Sequence, residues 1–305
     1  MARGTGGRQR DSVDEAAAVL GQAGSENFPV ASRLLPRAVR SDLLALYGFA
    51  RLADDLGDEA GGDRRAQLDE LEAEVGRAAQ GRATHPLIVP VSPLLVSGRV
   101  PLQPFVDLIE ANRQDQVVDR YETFDDLLGY CRLSAAPVGR MVLGVFGAAT
   151  AERVALSDDV CHGLQVVEHL QDVGEDARRG RVYLPQVDLR RAGVSPEDLA
   201  ARSASPALRR VVALEVNRAR RLLAAGPALA ASLPWRTRLA VAGFTAGGQA
   251  ALDAVVAANY DVLARPCRPR RRVFARRLAA VVVGPATPAR AATPLARPAL
   301  GRSAA

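Results

Sequence analysis

At 305 residues and 48% hydrophobic content the chain can bury one large core or two smaller ones, and its Ala-, Leu- and Val-rich stretches with only 4% aromatics favour helix over sheet. The formal charge of +6 is not a nucleic-acid signature: ten arginines and no acid fall after position 264, leaving 30 basic against 34 acidic residues before it, without interleaved aromatic and basic side chains. Cys131, Cys161 and Cys267 are scattered and lack CxxC spacing, which argues against a disulfide framework or a zinc site, and neither a leader nor an uninterrupted apolar run of roughly 18–20 residues is visible, so a cytoplasmic protein is expected.

In chain order, residues 1–12 are polar and Gly/Arg-rich and read as a flexible start. Helical periodicity begins near Val13, and an apolar and basic stretch, Val30 to Leu35, closes at Pro36. A helix is expected from Ser41, with Leu43, Leu44, Leu46, Tyr47, Ala50, Leu52 and Ala53 on its apolar side. Asp63 to Arg82 reads as an amphipathic surface helix, and the Pro-rich stretch Thr84 to Pro104 as a short helix between turns or an irregular connection. Further helices are expected over 102–116, 124–147, 157–177, 206–225 and 235–263; no segment alternates as a strand would. The domain division is therefore 1–12, a helical body over 13–265, and a basic Pro/Arg/Ala-rich tail over 266–305, a short helix at most and otherwise disordered.

Two carboxylate clusters stand 118 positions apart: Asp54-Asp55-Leu56-Gly57-Asp58-Glu59 and Asp172-Val173-Gly174-Glu175-Asp176. Each holds aspartates four residues apart, which share one helix face. Like charges at that spacing cost an isolated helix about 0.2–0.5 kcal/mol, and the glycine about 1 kcal/mol more, so the folded state has to supply cations. Hard oxygen donors without a His/Cys set suit Mg²⁺, which binds through one or two carboxylates plus substrate phosphates. Two facing clusters would grip a diphosphate.

The flanking residues, Leu46-Tyr47-Gly48-Phe49-Ala50-Arg51-Leu52-Ala53 before the first cluster and Ala177-Arg178-Arg179-Gly180-Arg181-Val182-Tyr183-Leu184-Pro185 after the second, resemble the squalene and phytoene synthase family over about residues 26–265. Within it, Glu26-Asn27-Phe28-Pro29-Val30-Ala31-Ser32-Arg33-Leu34-Leu35-Pro36 and Tyr130-Cys131-Arg132-Leu133-Ser134-Ala135-Ala136-Pro137 look most like the hydroxysqualene synthase branch of bacterial hopanoid biosynthesis. One departure stands out: Glu168 occupies a position where the family often has asparagine.

The resemblance implies an all-α, single-domain isoprenoid synthase fold with a central cavity. It implies Mg²⁺-dependent conversion of presqualene diphosphate to hydroxysqualene without NADPH, with a presqualene diphosphate synthase and a hydroxysqualene reductase as neighbours in the reaction sequence. Head-to-head condensation to presqualene diphosphate, squalene or phytoene is the alternative, and a non-catalytic helical protein that binds anionic membranes through its arginine tail is the reading from another class.

It assigns Asp54, Asp58, Asp172 and Asp176, with Glu168, as metal ligands, and Arg51 as a contact to diphosphate or a support for the aspartates. Of Arg178, Arg179 and Arg181, the last is the expected phosphate ligand. Asn27, Phe28, Tyr47, Tyr130, Ser134, Tyr183, Tyr260 and Arg265 are the expected substrate contacts; Tyr183 either supports its loop, lines the pocket or simply packs. Candidate apolar lining includes Ala31, Phe49, Leu133, Val138, Val142, Leu164 and Val167, and the residue that positions the capturing water is left unassigned. His85, His162 and His169 lack ligand spacing, although His169 adjoins Glu168. The tail reads as a peripheral tether to anionic lipid or as an incidental end.

Overall fold

The computed structural model describes residues 35–58 and 61–283. Among these residues the architecture is helical without a strand, as the periodicity predicts; one isolated parallel bridge joins Arg120 and Val182. The helices are α1 (Arg37–Asp58), α2 (Arg64–Ala78), α3 (Ser92–Val96), α4 (Gln103–Gln114), α5 (Phe124–Ser134), α6 (Ala136–Val145), α7 (Ala151–Arg178), α8 (Gln186–Ala192), α9 (Pro196–Leu199), α10 (Pro206–Leu223), α11 (Gly226–Ala231), α12 (Trp235–Ala257) and α13 (Arg271–Val283).

Local chemistry sets most boundaries. α1 starts just after Pro36, four residues before the expected Ser41, because nothing at 37–40 opposes helix. Asp63 caps α2 by accepting from the Ala66 amide at 3.0 Å, and Thr123 with Asp126 forms a capping box on α5. Thr150 caps α7, which therefore begins at Ala151 rather than Ser157 and runs for 28 residues. The single helix expected over 124–147 is two: Pro137 has no N–H to donate and its ring crowds the preceding turn, so the chain breaks at Ala135. α12 ends at Ala257, where Asn259 and Tyr260 take left-handed backbone conformations.

Two cores meet at α6. One surrounds α7 and includes Leu127, Leu143, Val166, Leu170, Leu208, Val212, Leu223 and Leu252; the other joins α1, α2 and α4 through Phe49, Leu68, Val75, Phe105 and Ile109. Phe49 and Phe105, both fully buried, meet edge to face at 4.8 Å, a pairing of about 0.5–1.5 kcal/mol beyond burial. Gly163 brings α7 close to α10: a Cβ there would stand 2.9 Å from Leu223 Cγ. Phe146 packs against both cores.

Residues 271–283, set apart with the tail on sequence grounds, form α13, which packs on α12 through Val281 against Ala242 and through the Arg277–Asp253 ion pair at 2.7 Å. Residues 284–305 lie outside the described residues. α12 is long and apolar enough to cross a membrane, a property that counting uninterrupted apolar runs missed. Over half of its most apolar window is buried, so it serves as a core helix.

Candidate functional site

α1 and α7 each carry one stripe that is acidic at the C-terminal end and apolar below. On α1, Tyr47, Ala50, Asp54 and Asp58 recur at three- and four-residue spacing; on α7, Ser157, Cys161, Leu164, Glu168, Asp172 and Asp176 do the same. The lower part of the α7 stripe lines a cavity of about 240 Å³, together with Ser134, Val138, Val142, Leu229, Val241 and Phe244. The lower part of the α1 stripe lines a second cavity of about 150 Å³. Val138, Val142 and Phe244 belong to both walls, so the two apolar spaces adjoin beneath the acids.

The acid end is held from outside by α4. Asn112 donates from Nδ2 to Asp54 Oδ1 at 3.4 Å, and Gln116 donates to the Gly57 carbonyl at 2.9 Å. A Cβ on Gly57 would fall 2.1 Å from Asn112 Oδ1, so glycine inside the first cluster is the condition for α4 to lie against α1. Asp115, one turn on, accepts from the Tyr130 hydroxyl at 2.8 Å, while its Oδ1 is buried without a partner.

The loop after α7 closes the arrangement. Gly180 (φ 84°) turns the chain, and Val182 N donates to Asp119 O at 2.8 Å and Gln186 N to Tyr121 O at 2.9 Å, fixing the loop beside the segment that follows α4. Arg178 and Arg179 stay on α7, at Gly174 O (3.0 Å) and Glu175 (2.8 Å). Arg181 crosses to Asp58 at 2.9 Å and thereby joins the two clusters. Tyr183 stacks on His169 at 3.8 Å and lies 5.8 Å from Tyr130, a packing role that also makes the floor of the acid layer aromatic. His169 is buried and pushed down to about 3 by burial, so it is neutral, and it packs between Tyr183 and Tyr130.

Carboxylates outnumber the arginines around the two clusters. Burial and the neighbouring Asp58 push the Asp54 carboxyl up to about 6, against the Asn112 hydrogen bond, although the residue as a whole is exposed on α1. Burial, then Asp172, takes Asp176 up to about 7, and burial raises Asp115 to about 6 and Asp172 in the same direction. Arg51, Arg179 and Arg181 lower these values without offsetting the burial. Among the described residues no three His, Cys, Asp or Glu side chains converge closely enough to enclose an ion. Carboxylates paired along each helix fit a hard divalent cation whose other ligands are waters and phosphate oxygens, not a protein-only cage.

Other expected residues divide as follows. Arg51 pairs with Asp55 at 2.8 Å, one turn on, and lowers the proton affinity of Asp54. Glu168 lines the larger cavity below the two aspartates of α7. Tyr47 and Ser134 line the apolar cavities, whereas Phe49 is fully buried core. Tyr260 packs half-buried on the α7 core, and Arg265 is exposed in a separate groove with Asp253, Arg268 and Arg270, where it does not complete the acid layer. Asn27, Phe28 and Ala31 lie outside the described residues. Sequence reasoning passed over Asn112, Asp115 and Gln116; the signal was the polar run that ends an otherwise apolar helix.

A profile of the squalene/phytoene synthase family matches residues 22–278. A hydroxysqualene synthase of Rhodopseudomonas palustris is 42% identical over 213 residues, covering 68% of this chain and 71% of that protein. The crystal structure of squalene synthase HpnC from Alicyclobacillus acidocaldarius superposes with a TM-score of 0.75 at 42% identity, over 82% of this chain and 95% of that one. A dehydrosqualene synthase solved with a ligand shares the fold at a TM-score of 0.77 and 23% identity, over 89% and 96% of the two chains. Members of the family are enzymes that act on prenyl diphosphates, which is the chemistry that a carboxylate end above an apolar interior fits. The chain belongs to the squalene/phytoene synthase family.

Proposed function

We propose that this enzyme converts presqualene diphosphate to hydroxysqualene and diphosphate. The observation that carries the reading is the pair of adjoining apolar cavities lined by the stripes of α1 and α7, whose C-terminal ends carry the carboxylates, an arrangement that suits a two-armed hydrocarbon with a single diphosphate. The similarity to a hydroxysqualene synthase over two thirds of the chain supports the branch within the family.

Asp54 and Asp58 from α1, and Asp172 and Asp176 from α7, would hold Mg²⁺, with Glu168 as a further carboxylate on the wall of the larger cavity. When bound, Mg²⁺ neutralises the leaving group and lowers the cost of breaking the C–O bond. Arg181 supplies a fixed fork beside it, a preorganised donor of the kind worth about 3–4 kcal/mol. Tyr130 and Asn112 hold Asp115 and Asp54 in place, and Val138, Val142, Leu164 and Phe244 keep bulk water from the cation. Asn27 and Phe28 belong to the same site in this reading, whereas Arg265, in its separate groove, does not. In this reading the enzyme is cytoplasmic, and its lipid substrate and product favour peripheral contact with the inner face of the membrane. A presqualene diphosphate synthase would supply its substrate and a hydroxysqualene reductase would use its product.

The test is product analysis of the purified chain with Mg²⁺ and without NADPH, offered presqualene, farnesyl and geranylgeranyl diphosphates separately. Hydroxysqualene from presqualene diphosphate alone is the expected result. Presqualene diphosphate or phytoene formed from the shorter substrates would overturn it in favour of head-to-head condensation.

A further inference from the structure

We infer that Ser134 positions the water that captures the carbocation. The assignment rests on the reading of the chain as a hydroxysqualene-forming enzyme, and it supplies the one group that such a reaction needs and the acid layer cannot provide.

Ser134 is the last residue of α5, one turn below Tyr130. Tyr130 stands in the acid layer, where its hydroxyl binds Asp115 beside Arg181. Four residues of helix span about 6 Å. Ser134 therefore lies one layer beneath the diphosphate, at the depth where the C–O bond breaks. α5 runs antiparallel to α7: Tyr130 faces His169, and Ser134 shares the larger cavity with Cys161 and Gln165.

The hydroxyl itself is the second observation. Ser134 Oγ is buried and has no hydrogen-bond partner, in a cavity whose walls are otherwise mostly Val, Leu, Ala and Phe. A serine near a helix end ordinarily satisfies itself on a carbonyl of the preceding turn. An orphaned buried hydroxyl costs stability, and a protein keeps one where a ligand uses it. Here the fitting partner is a single water, held by Ser134 in the cavity that Gln165 also lines.

The step balances with water as the only co-reactant. The bond from carbon to the diphosphate oxygen breaks with its electron pair on the leaving oxygen, and the cyclopropylcarbinyl cation rearranges. A lone pair of the held water then forms the new C–O bond, and the proton released from that oxygen passes to the departing diphosphate. Without a held water the same cation loses a proton from carbon and yields a hydrocarbon.

The experiment uses the full chain with Mg²⁺ and presqualene diphosphate, and reads diphosphate release and products separately for the parent, Ser134→Ala and Ser134→Thr. Ser134→Ala should still release diphosphate while its hydroxysqualene fraction falls at least fivefold in favour of hydrocarbon, and Ser134→Thr should restore alcohol. Its thermal midpoint should equal or exceed the parent's, since no hydrogen bond within the protein is lost. Unchanged hydroxysqualene from Ser134→Ala overturns the assignment, as does parallel loss of release and product, which would mark a role in binding or folding. A parent that releases no diphosphate from this substrate would instead overturn the proposed function, and the assignment with it.

Discussion

Replacing Tyr130 with phenylalanine removes one oxygen and isolates a buried carboxylate. Asp115 accepts from the Tyr130 hydroxyl at 2.8 Å, and its other oxygen is already without a partner. A hydrogen bond to an ionised group contributes about 1.5–3 kcal/mol, against about 0.5–1.5 kcal/mol for a neutral pair. Burial raises the Asp115 carboxyl from 3.8 to about 6 even with the tyrosine present. The folded state therefore binds more protons than the unfolded one between about pH 4 and 6, and the stability associated with protonated Asp115 is lost as pH rises through that window. Without Tyr130 the folded-state value climbs further, so the penalty grows with pH. Tyr130→Phe should cost about 1.5–3 kcal/mol at pH 8 and about 1 kcal/mol or less at pH 5, where both folded forms carry the proton. Chemical denaturation at the two pH values, with far-UV circular dichroism as the probe, measures the difference. Equal destabilisation at both, or none at pH 8, would refute the coupling of this tyrosine to an ionised Asp115.

Asp54→Asn and Asp172→Asn should each abolish turnover while leaving helical content intact, checked by product assay and circular dichroism; appreciable activity in either would remove the metal assignment. Arg181→Ala should lower kcat about 10²–10³-fold, since it deletes a preorganised donor, with Arg181→Lys intermediate because one ammonium cannot reproduce the fork. A kcat loss under tenfold for the alanine variant would mean that Arg181 only ties the loop to Asp58.

The acid pairs and the apolar side of α1 were legible in sequence because they depend on spacing along one helix, where 3.6 residues per turn fixes which side chains share a face. Family resemblance added the order of the motifs and the choice of Arg181 among three arginines. The same logic overran at Ala135, where Pro137 divides one expected helix into two, and at Thr150, whose cap starts α7 a turn and a half early. It also separated α13 from the body, because Arg- and Pro-rich composition resembles a tail until Arg277 finds Asp253.

What the sequence by itself determined was which residues could face one another: helices, their acid ends and their apolar sides follow from local chemistry alone. Only the tertiary structure decided which of them do. Asn112 and Asp115 carry no motif, and they become part of the site because Gly57 leaves room for α4 against α1. Arg265 is an arginine in the expected place, yet the turn at Asn259 and Tyr260 delivers it to another groove. Ser134 is an ordinary helix-end serine until the packing of α5 against α7 buries its hydroxyl without a partner. The physical reason is common to all three: contact between distant segments depends on how closely backbones approach and where a loop turns, which are properties of packed pairs of elements and not of either one alone.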